Sequence, residues 1–422
     1  MELYVGYGQR ELTPPMGVEL SGYGYFLERR CDAVQDPLYA RALAFRRQGD
    51  TQVLINCDLL GLGAWMVDAV RGALNQWYGL SAEQVLLLSI HTHTGPTTGG
   101  LPGCGELDPA YAATIPGRLI QAAVDALADL APVEEMKSGA WPIEPIGYNR
   151  TEFEDLDTLA RGVTVSRKGK KPLALVSYAC HPVTYGRSTR VSADYPGAVV
   201  RGLEKMGYQG IFLNGICGDV DPVINRTAWG TGTPETMEGY ATQILAEYGR
   251  HLVPMPLSGP LSCALVDVDM PLAPWGAADI DGVVAHIQQE TGEVYDGSGY
   301  AQAAENWRRR LLDALARGEG KVEHTQVQLM RLGRLLIVAL PYEAFTALGE
   351  RIRSAFPDYE VWVLGNANAT TAYLPTRQAL EQGFSYATIG SCIAYGRFPF
   401  DAAAPDILVE KTCQGIDAML KG

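Results

Sequence analysis

The residues best suited to chemistry in this chain are histidines at the ends of apolar runs. Val85-Leu-Leu-Leu-Ser-Ile-His91-Thr-His93-Thr-Gly95-Pro96 has strand length, ends in two imidazoles and then breaks at Gly-Pro. Histidine is the commonest metal ligand and carries protons near neutral pH. Alternate residues of an extended segment point the same way, so His91 and His93 can converge on one site. The chain holds only six histidines, and two of them sit here. The plainer alternative is a pair of hydrogen-bonded histidines closing a strand.

Other runs end in the same manner. Lys171-Pro-Leu-Ala-Leu-Val-Ser-Tyr-Ala-Cys-His181-Pro182 repeats the theme, and Ile211-Phe-Leu-Asn214 leads to Gly218-Asp219-Val-Asp221-Pro222. Leu335 to Leu340 ends in Pro341-Tyr342-Glu343, and two further runs end at Asp58 and Asn368. Six polar endings predict one crevice along one edge of a sheet. Zinc takes N, O or S ligands in a tetrahedral array, and a catalytic site keeps one position open. His91, His181 and Glu343 are of suitable type, whereas no cysteines are paired at ligand spacing. Each residue also has a plainer role: His181 as a satisfied core histidine, Glu343 as a helix N-cap, Asp219 and Asp221 as caps of the Gly218–Pro222 turn. Two apart in an extended segment, Asp219 and Asp221 would share a face, and like charge would raise one pKa.

Apolar periodicity supplies elements to carry these residues. Residues 2–8, 38–48 and 51–58 read as strands. Residues 64–77 read as a helix with Trp65, Val67, Val70, Leu74 and Trp77 apolar, and 109–130 as another. Asp194 stands near the start of a further helix, where a carboxylate is favoured. Later, helices at 234–252, 276–290, 299–317 and 404–420 accompany a strand at 261–271 and a hairpin of 322–331 with 334–340 around Gly333. Segment 95–105 is a loop rich in glycine and 383–400 one rich in glycine and aromatics, which suits a lid. The pattern predicts an α/β fold: a large mixed sheet or sheets flanked by helices, with the site at the strand C-terminal ends. No repeat or linker divides residues 1–422, so a single domain is expected.

Composition narrows the class. A hydrophobic content of 47% with 19% charged residues describes a globular chain with a sizeable core. The net charge of -14 argues against nucleic acid and anionic membrane surfaces as partners. No apolar run approaches the roughly 20 residues that span a bilayer, and the N-terminal stretch has no basic region followed by an apolar one. Eight scattered cysteines without a CxxC favour a reduced, cytoplasmic setting. A small-molecule substrate is the expected partner, and homo-oligomerisation stays open.

His91-Thr-His93-Thr-Gly-Pro96, His181-Pro-Val-Thr184, Gly218-Asp-Val-Asp-Pro222, Pro341-Tyr-Glu343-Ala-Phe-Thr346 and Asn368-Ala-Thr-Thr-Ala-Tyr373 occur in this order. The set resembles the neutral/alkaline, non-lysosomal ceramidase family, zinc-dependent amidases that cleave an N-acyl bond. The resemblance runs from the Gly22-Tyr-Gly segment to Tyr373. It looks like the family's catalytic domain without its C-terminal immunoglobulin-like domain. It implies one zinc held by His91, His181, Glu343 and Tyr373, with substrate contacts from His93 and from Arg150 in Asn149-Arg-Thr. Two departures change the expectation. Asp221 replaces the family's active-site serine, so zinc-activated water with Asp221 as general base, beside Asp219, takes over its part. Arg377-Gln-Ala-Leu-Glu-Gln-Gly-Phe384 replaces a stretch that shapes the family's lipid site, so a small polar amide, ester or lactone is expected in place of ceramide.

Two rival classes remain. His-x-His also opens PHP-type phosphoesterases and amidohydrolase barrels, although both put it on the first strand and add several later histidines. A non-catalytic binding protein could keep the fold without the serine. One zinc, several metals or none separates the three.

Overall fold

The computed structural model describes residues 2–151, 153–290 and 298–421. Eight strands form a large mixed sheet: β1 (Tyr4–Glu11), β2 (Tyr39–Arg47), β3 (Asp50–Cys57), β4 (Val85–Ser89), β5 (Ala131–Pro142), β6 (Leu159–Arg167), β7 (Leu173–Tyr178) and β8 (Gln209–Asn214). They pair in the order β8-β7-β6-β5-β1-β2-β3-β4, and the short strand Val253–Pro254 adds to β5. A second sheet runs β9 (Leu261–Pro271), β10 (Val322–Leu332), β11 (Leu335–Ala339), β12 (Glu360–Leu364).

Burial explains why the site-bearing strands read as unbroken apolar runs. Val85 and Leu87 of β4 face helices α1 (Ala64–Tyr78), α2 (Ile115–Ala128), α3 (Asp194–Lys205) and α4 (Pro234–Leu245). Leu86 and Leu88 face the second sheet, where they join Leu335, Ile337 and Trp362. A helical hairpin of α5 (Ala277–Glu290) and α6 (Ser298–Ala316) has its own cluster with Ile393 and Phe398. The far face of the second sheet is covered by α7 (Thr346–Ala355) and α8 (Ala404–Lys421). The layers are therefore helix, sheet, sheet, helix, with strands buried on both faces.

Three parallel pairs, β3/β4, β7/β8 and β11/β12, are each joined through a helix: α1, α3 and α7. His91, His181 and Glu343 follow the C-terminal ends of β4, β7 and β11. The large sheet is rolled so that its terminal strands meet: Asn56 Nδ2 donates to Phe212 O at 2.9 Å and Asn214 Nδ2 to Ile90 O at 3.1 Å. Bridges Leu88–Ala367 and Gly215–Leu364 bind both ends to the exit of β12. That closure brings together strand ends that the pairing order puts farthest apart.

Several sequence expectations need correction. The crevice lies between two sheets, and only part of the six endings reach it. Asp58 pairs with buried Arg41 at 2.7 Å, and Asn368 accepts from Leu87 N and Arg71. The 109–130 helix is Pro109–Ala112 followed by α2, restarted where Pro116 sits in a first turn that needs no N–H from it. The 234–252 helix stops at Leu245, before Gly249 at φ 86°. Trp65 and Trp77 are 48% and 59% exposed, so the buried face of α1 is Met66, Val67, Val70 and Leu74. Residues 383–400 include helical turns at Tyr386–Gly390 and Ser391–Tyr395. β5 and β6 were not expected, because polar residues interrupt their apolar positions and a bulge falls between Val133 and Glu135. Among the described residues, no helix is long and apolar enough to cross a membrane.

Candidate active site

His91 leaves β4 in the left-handed region, at φ 70°, which an L-residue adopts at a cost. Its backbone N–H donates to Leu59 O at 2.9 Å, and its ring Nδ1 meets Leu60 O at 2.7 Å. Thr92 and Thr94 both donate their hydroxyls to Ser192 O, at 2.8 and 3.0 Å. The two threonines thus pin the segment while the alternating histidines turn inward. The convergence of His91 and His93 is real, with ring centroids 5.1 Å apart, but it arises from a kinked backbone rather than an extended one.

His181 is fixed from two sides. Its Nδ1 meets Val220 O at 3.1 Å. Asp194, buried at the start of α3, accepts from Thr184 N at 3.0 Å and Tyr185 N at 2.9 Å, which clamps the loop after His181. The rings of His91 and His181 lie 5.3 Å apart, and those of His93 and His181 5.8 Å apart. One ring nitrogen from each of the three lies within 4.8 Å of the others, an arrangement that could hold a metal ion.

Glu343 enters from the second sheet. Its Oε2 lies 3.2 Å from His91 Nε2 and 2.9 Å from His181 Nε2, and its Oε1 accepts from Tyr395 at 2.5 Å. It does not cap α7; that role belongs to Asp219, whose Oδ1 accepts from Thr346 N at 2.9 Å and Thr346 Oγ1 at 2.8 Å. Burial pushes the Asp219 carboxyl up to about 6 against those hydrogen bonds. Asp221 is not the source of that rise, since its carboxylate turns away to Arg150 Nη1 at 3.3 Å and lies 3.7 Å from His181 Nδ1. Arg150 also donates through Nη2 to Gly218 O at 2.8 Å and to Tyr373 Oη at 2.6 Å. Tyr373 Oη in turn lies 3.2 Å from His181 Nε2.

The donor set fits a divalent cation. A carbonyl can only accept, so each Nδ1 that meets one carries the proton, and in the neutral ring Nε2 is then bare. Two bare nitrogens and a carboxylate oxygen at 2.9–3.2 Å repel unless positive charge stands among them. Ligands about 2.0–2.1 Å from a tetrahedral zinc lie roughly 3.3 Å apart; Glu343 Oε2 stands 3.2 Å from His91 Nε2 and 2.9 Å from His181 Nε2. His93 is different: both its ring nitrogens are buried and, among the described residues, have no partner. Burial, then the neighbouring imidazoles of His91 and His181, hold it well below the ordinary histidine range.

Comparison with known proteins bears on the architecture. No protein-family model and no curated protein matches the sequence. In structure, 99% of the chain superposes on 75% of a neutral ceramidase from Pseudomonas aeruginosa, with a TM-score of 0.73 at 16% identity. A ceramidase complexed with C2 gives 0.72 at 15% identity, over 99% of this chain and 76% of that one. The fold is that of the neutral ceramidases. Within this ceramidase-like fold, His91, His93, His181, Glu343, Tyr373, Arg150, Asp219 and Asp221 all lie at one junction. Sequence reasoning missed Tyr395, which holds Glu343, and saw Asp194 only as a helix start. A tyrosine in a loop rich in tyrosine and glycine carries no positional signal of its own. It also missed the aromatic wall of Tyr23 and Trp229, whose rings lie 5.4 and 6.5 Å from that of His93. Gly22 is required there, since at φ 82° a Cβ would come within 2.6 Å of His93 Nδ1.

Proposed function

We propose that this chain is a zinc-dependent hydrolase that cleaves an amide, or an ester or lactone, of a small polar substrate. The observation that carries the reading is the meeting of His91 Nε2 and His181 Nε2 with Glu343 Oε2, both rings having committed their Nδ1 protons to carbonyls. Tyr373 is the fourth ligand in this reading, its oxygen held toward His181 by Arg150. Amide chemistry is supported by the likeness to ceramidase structures.

When bound, the ion supplies Lewis acidity toward a carbonyl and brings the pKa of water from 15.7 to about 7. The chain's own residues do the rest. His93, kept neutral by burial, takes a proton from the attacking water at a ring nitrogen and passes it to the leaving group, work worth about 10²–10⁴-fold. Arg150 orients a polar substrate group, its guanidinium carbon 5.3 and 5.8 Å from the ring centres of Tyr373 and Tyr386. Asp221 anchors Arg150 from behind, so we assign the proton work to His93.

A panel of N-acyl, ester and lactone substrates, assayed with and without chelator beside elemental analysis, tests the proposal. One zinc per chain with chelator-sensitive turnover is expected. Turnover indifferent to chelator, or a His93→Ala variant with unchanged kcat/KM, would overturn it. Several metals per chain with phosphoesterase activity, or no metal at all, would favour the rival classes.

A further inference from the structure

His93 is held differently from the two histidines beside it. The rings of His91 and His181 each meet a backbone carbonyl, Leu60 O at 2.7 Å and Val220 O at 3.1 Å. Neither ring nitrogen of His93 has a partner among the described residues, so packing and its own backbone must set the angle of the ring. Gly22 lies against it, where a Cβ would meet His93 Nδ1 at 2.6 Å. Tyr23 makes an edge-on contact, with ring centroids 5.4 Å apart and planes at 76°.

Arg29 stands behind both contacts and is buried, 7% exposed. Its Nη2 donates to Ser21 O at 2.5 Å, Gly22 O at 3.2 Å and His93 O at 2.8 Å, and its Nη1 to Ser188 O at 2.8 Å. Its guanidinium carbon sits 5.0 Å from the centre of the Tyr23 ring, within reach of a cation–π contact. Burial lowers its pKa to about 10, so it stays charged at neutral pH. One side chain thus binds the carbonyl of His93 itself, the turn that carries Gly22 and Tyr23, and the loop that follows His181. Tyr23 needs such support. At φ 65° its backbone lies in the left-handed region, which an L-residue keeps only where its surroundings over-determine it. A planar fork can span several acceptors in this way, whereas an ammonium is a point charge.

We propose that Arg29 is a positioning residue for His93: it fixes the backbone and the aromatic edge that hold the imidazole beside His91, His181 and Glu343. The inference rests on the hydrolase reading above, in which His93 moves the proton. Both Nη groups of Arg29 are committed to carbonyls, so it acts through His93 and not on the substrate.

The full chain as purified is compared with Arg29→Lys, which keeps the charge and loses the fork, and with Arg29→Gln, which leaves no charge to bury. NMR reads the imidazole carbon–proton signals of the six histidines, each site histidine being assigned by the loss of its signal in its alanine variant. The His93 signal should shift or broaden in whichever variant folds, while those of His91 and His181 and the zinc content hold. On the best substrate of the amide, ester and lactone panel, kcat should fall at least about tenfold with KM changed by less than about twofold. The same substitution combined with His93→Ala should be little slower than His93→Ala alone, since nothing is left to position. A His93 signal that stays in place, or losses that multiply in the double variant, overturns the proposal. So does displacement of all three signals with loss of zinc, or failure of both variants to fold, which is what a merely structural arginine would give. A displaced His93 signal in a protein that turns over nothing in the panel keeps the positioning role and removes the hydrolase reading instead.

Discussion

His181 Nε2 and Glu343 Oε2, 2.9 Å apart, join the two sheets of the molecule at their strand ends. His181 follows β7 of the large sheet, and Glu343 follows β11 of the small one. The junction around them is tight. Gly218 N donates to Ala344 O at 2.9 Å, and a Cβ on Gly218 would meet Glu343 O at 2.2 Å. An ion among His91, His181 and Glu343 would act as a staple between layers as well as a reagent.

Removing both imidazole ligands should therefore cost metal and stability together. His91→Ala/His181→Ala is expected to fall from about one zinc per chain to a trace. Chelator should lower the melting temperature of the parent but not of the variant, since a ligand that binds only the native state stabilises it by mass action. Elemental analysis with thermal melts reads both. Full metal retention in the double variant would refute the ligand assignment.

Tyr395 gives a subtler case. Its hydroxyl donates to Glu343 Oε1 at 2.5 Å, leaving Oε2 for the histidines. Partners of this kind orient a ligand, and losing one typically costs 10–100-fold in metal affinity. Tyr395→Phe should show a loss of that size in competition against a calibrated chelator, with the fold intact by circular dichroism. An unchanged affinity would mean that the carboxylate is oriented by the histidines alone.

Asp219 makes a prediction about pH. Its carboxyl is raised from 3.8 to about 6, chiefly by burial. A carboxyl whose native pKa lies above its unfolded value contributes stability that is fully present below the unfolded pKa. That contribution is lost as pH rises through the folded one. The stability of the parent relative to Asp219→Asn should thus decline between pH 4 and pH 7, by at most roughly 3 kcal/mol for about two units. The amide's clash with Asn149 Nδ2, the 3.1 Å donor to Asp219, is independent of pH and drops out of the trend. Urea melts across that range measure it, and a flat difference would show that Asp219 ionises normally.

How much of this was legible in the sequence depends on distance. Strand and helix periodicity near His91, His181 and Glu343 was readable because those strands are buried on both faces. The hairpin at Gly333 was readable because a left-handed glycine, at φ 62°, turns it. What stayed hidden was set by tertiary closure. Nothing local tells that Asn56 and Asn214 roll the sheet shut, or that Asp58 prefers Arg41 to the site. Nor does spacing reveal that Asp219 and Asp221 diverge. Alternation predicts a shared face, but Asp219 is drawn to the free N–H of Thr346 and Asp221 to Arg150.

That divergence leads to the sharpest experiment. Asp221 reaches Arg150 Nη1 at 3.3 Å, and Arg150 carries the link on to Tyr373 at 2.6 Å. If Asp221 works by positioning Arg150, Asp221→Asn should chiefly raise KM and leave the acid limb of the pH–rate profile in place. It should also lose stability, because a mostly buried arginine keeps its charge without its partner. If Asp221 is instead the general base, kcat should fall at least about 10²-fold and the acid limb should shift or vanish. A double-mutant cycle with Arg150→Gln separates the two. Groups that act as one unit couple by about 0.5–3 kcal/mol, so a positioning role leaves the double variant little worse than Arg150→Gln alone. Independent roles multiply their losses, and multiplication here would return the proton work from His93 to Asp221.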